Sequence, residues 1–125
     1  MERVVVDGLA RLPSFSHAVV AGDTVYVSGS LGTLPDSTTL ATGGTGPETT
    51  QALINLEAIL GNCGATLRDV VKVNVYLSDM ATSDEMNLAY LEVFAEFPPA
   101  RVTVGGVDLA LGAAVEIDCI AYKPD

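Results

Sequence analysis

Residues 69–79 read DVVKVNVYLSD, and apolar and polar side chains alternate along them with a period of two. That period is typical of a β-strand with one buried face. The alternation assigns one face to Val71, Val73, Val75 and Leu77. It leaves the other face to Val70, Lys72, Asn74 and Tyr76. A strand of this kind needs a second layer to cover its apolar side.

The segment before this strand has the 3.6-residue period of an amphipathic helix. Pro47 suits the first helical position, Glu48 the positive end of the helix dipole, and Gly64 the end of the helix. Its apolar stripe consists of Leu53, Leu56, Leu60 and Cys63.

A second amphipathic helix follows the strand. Thr82 and Glu85 fit a capping box at its start, and Pro98 with Pro99 ends it. The positions between them that recur with helical spacing are Met86, Ala89, Tyr90, Val93, Phe94 and Phe97.

The remaining apolar segments are short and predict strands. Three precede the first helix, at residues 4–7, 17–22 and 24–29, with Gly22 and Asp23 as a hairpin turn, and residues 33–46 then form a loop. After the second helix, residues 101–107 and 113–122 are expected to pair around a turn at 108–112. The order β-β-β-α-β-α-β-β over residues 1–125 predicts one α+β domain, a two-layer sandwich with both helices on one face of a mixed sheet.

Composition narrows the functional classes. Hydrophobic residues make up 49% of the chain, but no apolar run reaches the roughly 18 residues of a membrane span, so the surplus apolar surface favours contact with another subunit. The net charge of −10 argues against a nucleic-acid partner. The first residues lack the pattern of an export signal, and two cysteines are too few for a disulfide framework. We therefore expect a cytoplasmic protein with free thiols.

Strand alternation also collects polar residues on the sheet face away from the helices. We expect this face to carry Lys72, Asn74, Tyr76, Arg101, Thr103, Glu116 and Asp118. It is either an intersubunit surface with a cleft or an ordinary hydrated face. Arg101 either binds an anion or pairs with an acid such as Glu116, and Asp118 needs no functional explanation. A metal site is disfavoured because His17 is the only histidine.

Several ordered segments resemble the RidA/YjgF family of enamine and imine deaminases. The most specific are PPARVTV at residues 98–104 and GAAVEIDCIA at 112–121. Supporting segments lie at residues 15–19, 25–32, 49–80 and 86–94. The resemblance implies a chorismate-mutase-like homotrimer with ligand clefts between subunits. It also implies hydrolysis of 2-aminoacrylate or its 2-imino acid tautomer to a 2-keto acid and ammonia, without a cofactor.

The resemblance also implies roles for individual residues. Arg101 matches the arginine that binds the substrate carboxylate, and Glu116 the glutamate that holds the attacking water. Thr103 stands where cysteine is common and would act through its backbone carbonyl. Gly29 matches a backbone contact to substrate, and Asn87 a recurrent asparagine of the second helix, with helix capping or an interface hydrogen bond as its alternative.

The chain departs from the family pattern around the same cleft. Phe15 replaces a tyrosine and therefore cannot donate a hydrogen bond, while Ser14 and Ser30 stand where proline and glutamine are common. His17 replaces a glutamine and is a candidate for supplying a polar group instead. These departures leave a small-carboxylate-binding module as the alternative to an imine deaminase. RNA cleavage, suggested by an older family label, is disfavoured by the acidic charge and the lone histidine.

Overall fold

The computed structural model describes residues 1–124 and has the predicted order of strands and helices along the chain. Its elements are β1 Glu2–Val4, β2 Ala18–Ala21, β3 Thr24–Leu31, α1 Thr45–Asn62, β4 Val70–Leu77, α2 Ser83–Phe94, β5 Ala100–Val104 and β6 Val115–Tyr122. Three short 3₁₀ turns lie at Leu67–Asp69, Met80–Thr82 and Ala110–Gly112. β1 is displaced from the expected segment 4–7, and β3 runs two residues further than expected.

The strands form one mixed sheet in the order β1-β2-β3-β6-β4-β5. β4 and β5 are parallel, and every other neighbouring pair is antiparallel. The hairpin between β2 and β3 turns at Gly22 and Asp23 as predicted, because Ala21 pairs with Thr24 and Gly22 has a φ of +61°. The predicted two-layer α+β sandwich is confirmed.

The core lies between the helices and one face of the sheet. Val73, Val75 and Leu77 of β4 are fully buried there, as the alternation predicts. The helices contribute Leu53, Leu56, Ile59 and Leu60 from α1 and Met86, Tyr90 and Phe94 from α2. Cys63, expected in the α1 stripe, lies just beyond the helix and is only partly buried.

The start of β4 departs from strict alternation. The pairing of β4 with β6 shifts register between Val70 and Lys72, so one extra residue is accommodated there. Val70 is therefore buried and Val71 is 49% exposed, the reverse of the predicted faces.

The expected hairpin of residues 101–107 and 113–122 is wrong. β5 pairs in parallel with β4 at the edge of the sheet, whereas β6 lies between β3 and β4. The physical reason is the crossover through α2, which returns the chain beside β4 in the same direction. The following loop then reverses the chain into the gap between β3 and β4.

This topology also corrects the faces of β5. Arg101 is opposite Val73, and Thr103 is opposite Val75. Because directly paired residues share a face, Arg101 and Thr103 lie on the helix side of the sheet. Val102 and Val104, expected in the core, occupy the open face and are 47% and 42% exposed.

The helix starts also differ in detail from the prediction. α1 begins at Thr45, two residues before Pro47. The prediction of a capping box at the start of α2 is wrong, since the Thr82 side chain makes no cap hydrogen bond. Glu85 instead accepts a hydrogen bond from the backbone N–H of Gly46, at 2.8 Å, and so ties α2 to the start of α1.

Neither of the two helices in residues 1–124 has the length and apolar character that crossing a membrane would require.

Candidate functional site

A cavity of about 250 Å³ opens beside the end of β3. Its walls come from the segment before β2, from β3 and the following loop, and from one face of α1. The 3₁₀ turn at Ala110–Gly112 and the start of β6 complete them. Five of the eight predicted site residues line it, namely Phe15, His17, Gly29, Ser30 and Glu116. A volume of this order suits a ligand smaller than a typical drug molecule.

Gly29 and Glu116 are in direct contact at the wall of this cavity. The pairing of β3 with β6 shifts register between Val27 and Ser30, which places Gly29 in a bulge. A Cβ added to Gly29 would lie 2.7 Å from the Oε2 atom of Glu116 and 2.9 Å from its Cδ. Only a glycine therefore leaves room for the carboxylate in its present position.

The environment of Glu116 favours the protonated carboxyl group. Burial raises the pKa of Glu116, and the nearby charge of Asp118 raises it further. Such a carboxylate is a stronger base than an exposed one and can hold a water molecule while taking up a proton.

The open sheet face beside Glu116 carries a hydrogen-bonded network centred on Asp118. Asn74 donates from Nδ2 to one carboxylate oxygen at 2.8 Å, and the hydroxyl of Tyr76 donates to the other at 3.1 Å. Burial, and then the charge of Asp118, raise the pKa of Tyr76. Asp118 was expected to need no functional explanation, although the strand alternation that places all three residues on this face was the signal for the network.

His17 is buried, and backbone groups engage both of its ring nitrogens. Nδ1 accepts a hydrogen bond from the N–H of Val6 at 2.9 Å, so Nε2 carries the proton and donates to the carbonyl of Ala10 at 3.0 Å. The imidazole therefore fixes the segment before β2. A polar contact from His17 to a ligand would require one of these hydrogen bonds to break.

Phe15 and Ser30, which also depart from the family pattern, give the cavity wall one apolar and one polar residue. The Phe15 ring is 38% exposed, whereas Ser30 is buried and lies on the helix side of β3, opposite Ile117. The neighbouring hydroxyl of Ser28 donates to the carbonyl of Ser16 at 2.6 Å, which holds the Phe15 segment against β3.

Arg101 lies outside the cavity, at the β5 edge of the sheet. Its guanidinium carbon is 4.7 Å from the centre of the Tyr90 ring, and Nη1 approaches the sulfur of Met86 at 3.9 Å. Asn87 follows Met86 on α2 and is partly buried. Thr103 lies nearby on β5, and within residues 1–124 its buried hydroxyl and that of Tyr90 have no hydrogen-bond partner.

The pairing of Arg101 with Glu116 that the sequence left open does not occur in residues 1–124. Glu116 is opposite Tyr76, and Tyr76 is opposite Val104, three residues further along β5 than Arg101. Arg101 also lies on the helix side of the sheet, whereas Glu116 lies on the open side. One chain thus divides the predicted site residues into a cavity group and an edge group.

Among residues 1–124 there is no cluster of three or more His, Cys, Asp and Glu side chains that could hold a metal ion. The cavity wall is largely apolar and includes the carboxylate of Glu116, while the Arg101 guanidinium is exposed at the edge of the sheet.

The fold is a two-layer α+β sandwich with a small cavity beside the end of β3. The family model described as Endoribonuclease L-PSP matches residues 7–123, and the chain belongs to this family, which is also called RidA/YjgF/UK114.

Named relatives cover most of the chain. A RutC family protein of Pyrococcus horikoshii is 39% identical over 109 residues, which are 87% of this chain and 86% of that protein. A 2-iminobutanoate/2-iminopropanoate deaminase of Dermatophagoides farinae is 36% identical over 121 residues, 95% and 94% of the two chains. The crystal structure of RidA from an Antarctic Psychrobacter species superposes with a TM-score of 0.91 at 34% identity, covering 98% and 99% of the two chains.

Proposed function

We propose that this protein hydrolyses 2-imino acids, or their 2-enamine tautomers, to 2-keto acids and ammonia. The observation that carries the proposal is the Glu116 carboxylate, which lies against Gly29 at the wall of a small cavity and has a raised pKa. Relatives 36–38% identical to this chain are named 2-iminobutanoate/2-iminopropanoate deaminase, which supports the same activity.

The chemistry needs few groups and no cofactor. Glu116 accepts a hydrogen bond from a water molecule and takes its proton as the water oxygen forms a bond to the imine carbon. Glu116 then passes this proton to the imine nitrogen, which gives a tetrahedral adduct with a hydroxyl and an amino group. The hydroxyl proton moves through Glu116 to the amino nitrogen, the carbon–nitrogen bond breaks, and ammonia leaves as the carbonyl forms and Glu116 is again ionised. The protein supplies position and one base, while the imine carbon is already electrophilic.

A second copy of the chain is part of this proposal. Arg101 is exposed at the β5 edge, so in a homotrimer it can reach the cavity of a neighbouring subunit and bind the substrate carboxylate there. Asn87 and the Thr103 carbonyl would come from the same subunit as Arg101. The exposed apolar side chains of the open sheet face supply a surface for such an assembly, and these include Tyr26, Val102, Val104 and Tyr122.

The test generates imino acids in place with an amino-acid oxidase and traps them with semicarbazide. We expect the protein to suppress semicarbazone formation and Arg101→Ala to lose this effect. Arg68→Ala is the matched control, because Arg68 also stacks on an aromatic ring, that of Phe97, at 4.5 Å, but lies away from the cavity. No suppression by wild-type protein with any amino acid would overturn the proposal.

Experiments can distinguish two alternative functions from the proposed one. A carboxylate-binding module would bind 2-keto acids through the same groups without suppressing semicarbazone formation. The family model is described as an endoribonuclease, and RNA cleavage abolished by Arg101→Ala would favour that activity. The net charge of −10 opposes RNA binding.

We also propose a cytoplasmic location for the protein. Both cysteines are free in the structure, which agrees with a reducing compartment.

A further inference from the structure

Leu111 has a backbone conformation that leucine rarely adopts. It lies in the turn between β5 and β6 with φ of 62° and ψ of 13°, the left-handed region. Asp36 is the only other residue besides glycines with positive φ in residues 1–124. A branched side chain is unfavourable in this conformation, so Leu111 is held there by the surrounding turn.

Burial in the core does not explain the strained leucine. Its side chain is 55% exposed and does not belong to the hydrophobic core. It contributes instead to the wall of the cavity that contains Glu116. The left-handed turn therefore places an apolar side chain at the ligand cavity rather than in the sandwich.

The cavity wall around Leu111 is largely apolar. Leu9, Leu12, Phe15, Leu31 and Ile59 line the same space. Arg11 also contributes to the wall, but its Nη1 atom donates to the carbonyls of Leu12 and Phe15 at 3.1 and 3.0 Å. Among residues 1–124 the only carboxylate in the wall is that of Glu116, which holds the attacking water in the proposed function.

We propose that Leu111 is a specificity-determining residue that selects imino acids with an apolar side chain of about three or four carbons. This inference rests on the proposed function. With the reacting carbon at Glu116, the substrate side chain extends along the apolar wall and contacts Leu111. An alanine-derived imino acid is too short for this contact, and an apolar side chain matches the apolar part of the wall better than a charged one.

The test compares kcat/KM for the imino acids derived from leucine and from alanine. We expect wild-type protein to favour the leucine-derived substrate, and Leu111→Gly to reduce that preference about tenfold, as for the loss of a small apolar contact. Glycine accepts the left-handed conformation, so the variant should keep its fold, which its melting temperature verifies. Asp36→Gly is the control, because it changes the other left-handed residue, which lies outside the cavity wall.

An unchanged preference in Leu111→Gly would overturn the inference. If wild-type protein hydrolyses neither substrate, the proposed function fails, and the inference is judged by binding of 4-methyl-2-oxopentanoate and pyruvate. A reduced ratio of their affinities in Leu111→Gly would then support selection by Leu111, and an unchanged ratio would overturn it.

Discussion

Gly29 shows how the absence of a side chain makes room for the carboxylate that we propose as the base. The Glu116 carboxylate occupies the space that a Cβ at residue 29 would take. We expect Gly29→Ala to displace this carboxylate and to lower kcat/KM at least tenfold, because the water that it holds moves with it. The displaced atoms end a flexible side chain, so the melting temperature should change little.

The control for this prediction is Gly61→Ala, which lies within α1 with no atom near the added methyl group. It should leave activity unchanged and stabilise the fold by about 0.5–1 kcal/mol. Full activity in Gly29→Ala would show that the position of the Glu116 carboxylate does not limit the reaction.

The raised pKa of Glu116 predicts the direction of the pH dependence. In the proposed mechanism Glu116 acts as an ionised carboxylate, so activity should fall as the pH decreases through this raised pKa. Asp118→Asn removes a negative charge that contributes to the shift, so the acid limb of kcat/KM should move to lower pH. Asp84→Asn, on the exposed first turn of α2, should leave the limb in place. A limb that does not move in Asp118→Asn would contradict the assignment of Glu116 as the base.

The raised pKa of Glu116 also makes the stability of the fold depend on pH. A carboxyl group whose pKa is higher in the folded protein than its ordinary value of 4.5 stabilises the fold at low pH. That contribution is lost as the pH rises through the folded pKa, because ionisation then favours the unfolded chain. The ionised Glu116 carboxylate therefore lowers the free energy of unfolding.

At the scale of elements, Glu48 connects the first turn of α1 to the start of β6. Its carboxylate is buried and accepts a hydrogen bond from the backbone N–H of Ala114 at 2.8 Å. We expect Glu48→Ala to reduce the free energy of unfolding by about 2 kcal/mol, since a buried donor loses its partner. Glu57→Ala, at an exposed position of the same helix, should change it by less than about 0.5 kcal/mol in urea unfolding. Equal effects of the two substitutions would contradict this role.

Local sequence patterns predicted the elements better than their pairing. Periodicity located α1, α2 and β4 because each buries a stripe or face against the other layer. It failed at Val70 and Val71, because a bulge is a property of the pair of strands and not of one. It failed for Arg101 and Val102 because β5 is a parallel edge strand, which leaves both of its faces partly open to solvent.

At the scale of the whole molecule, the open sheet face should determine assembly. Val104 is exposed on this face beside the network of Asn74, Tyr76 and Asp118. If the chain forms the proposed homotrimer, we expect Val104→Asp to convert it to monomers at micromolar concentration, because the acidic side chain would be buried without a partner. Activity should fall with the assembly. Sedimentation equilibrium measures the change.

The control for assembly is Leu88→Asp, on the outer surface of α2, where the side chain is 70% exposed. That variant should assemble and act like the wild type. A Val104→Asp protein that remains a trimer would place the subunit contact on another surface.

The candidate site could be predicted from sequence only in part, because it depends on contacts beyond one strand. Family motifs identified Arg101 and Glu116, but no local pattern shows that these residues lie on opposite faces of the sheet. Likewise, the left-handed backbone of Leu111 and the contact of Gly29 with Glu116 arise from how the turn and two strands meet. The sequence therefore indicated Gly29, Arg101 and Glu116 as site residues, but it did not show which residues each of them contacts.

The central position of β6 constrains the order in which the molecule can fold. During synthesis the strands β1 to β3 and the pair β4 and β5 emerge first, each with an edge that only β6 can cover. The two halves of the sheet therefore stay separate until the ribosome has released β6, and the core closes only when that strand enters between them. Closure of the sheet is consequently a long-range event, and the chain exposes unpaired strand edges to aggregation until β6 has emerged.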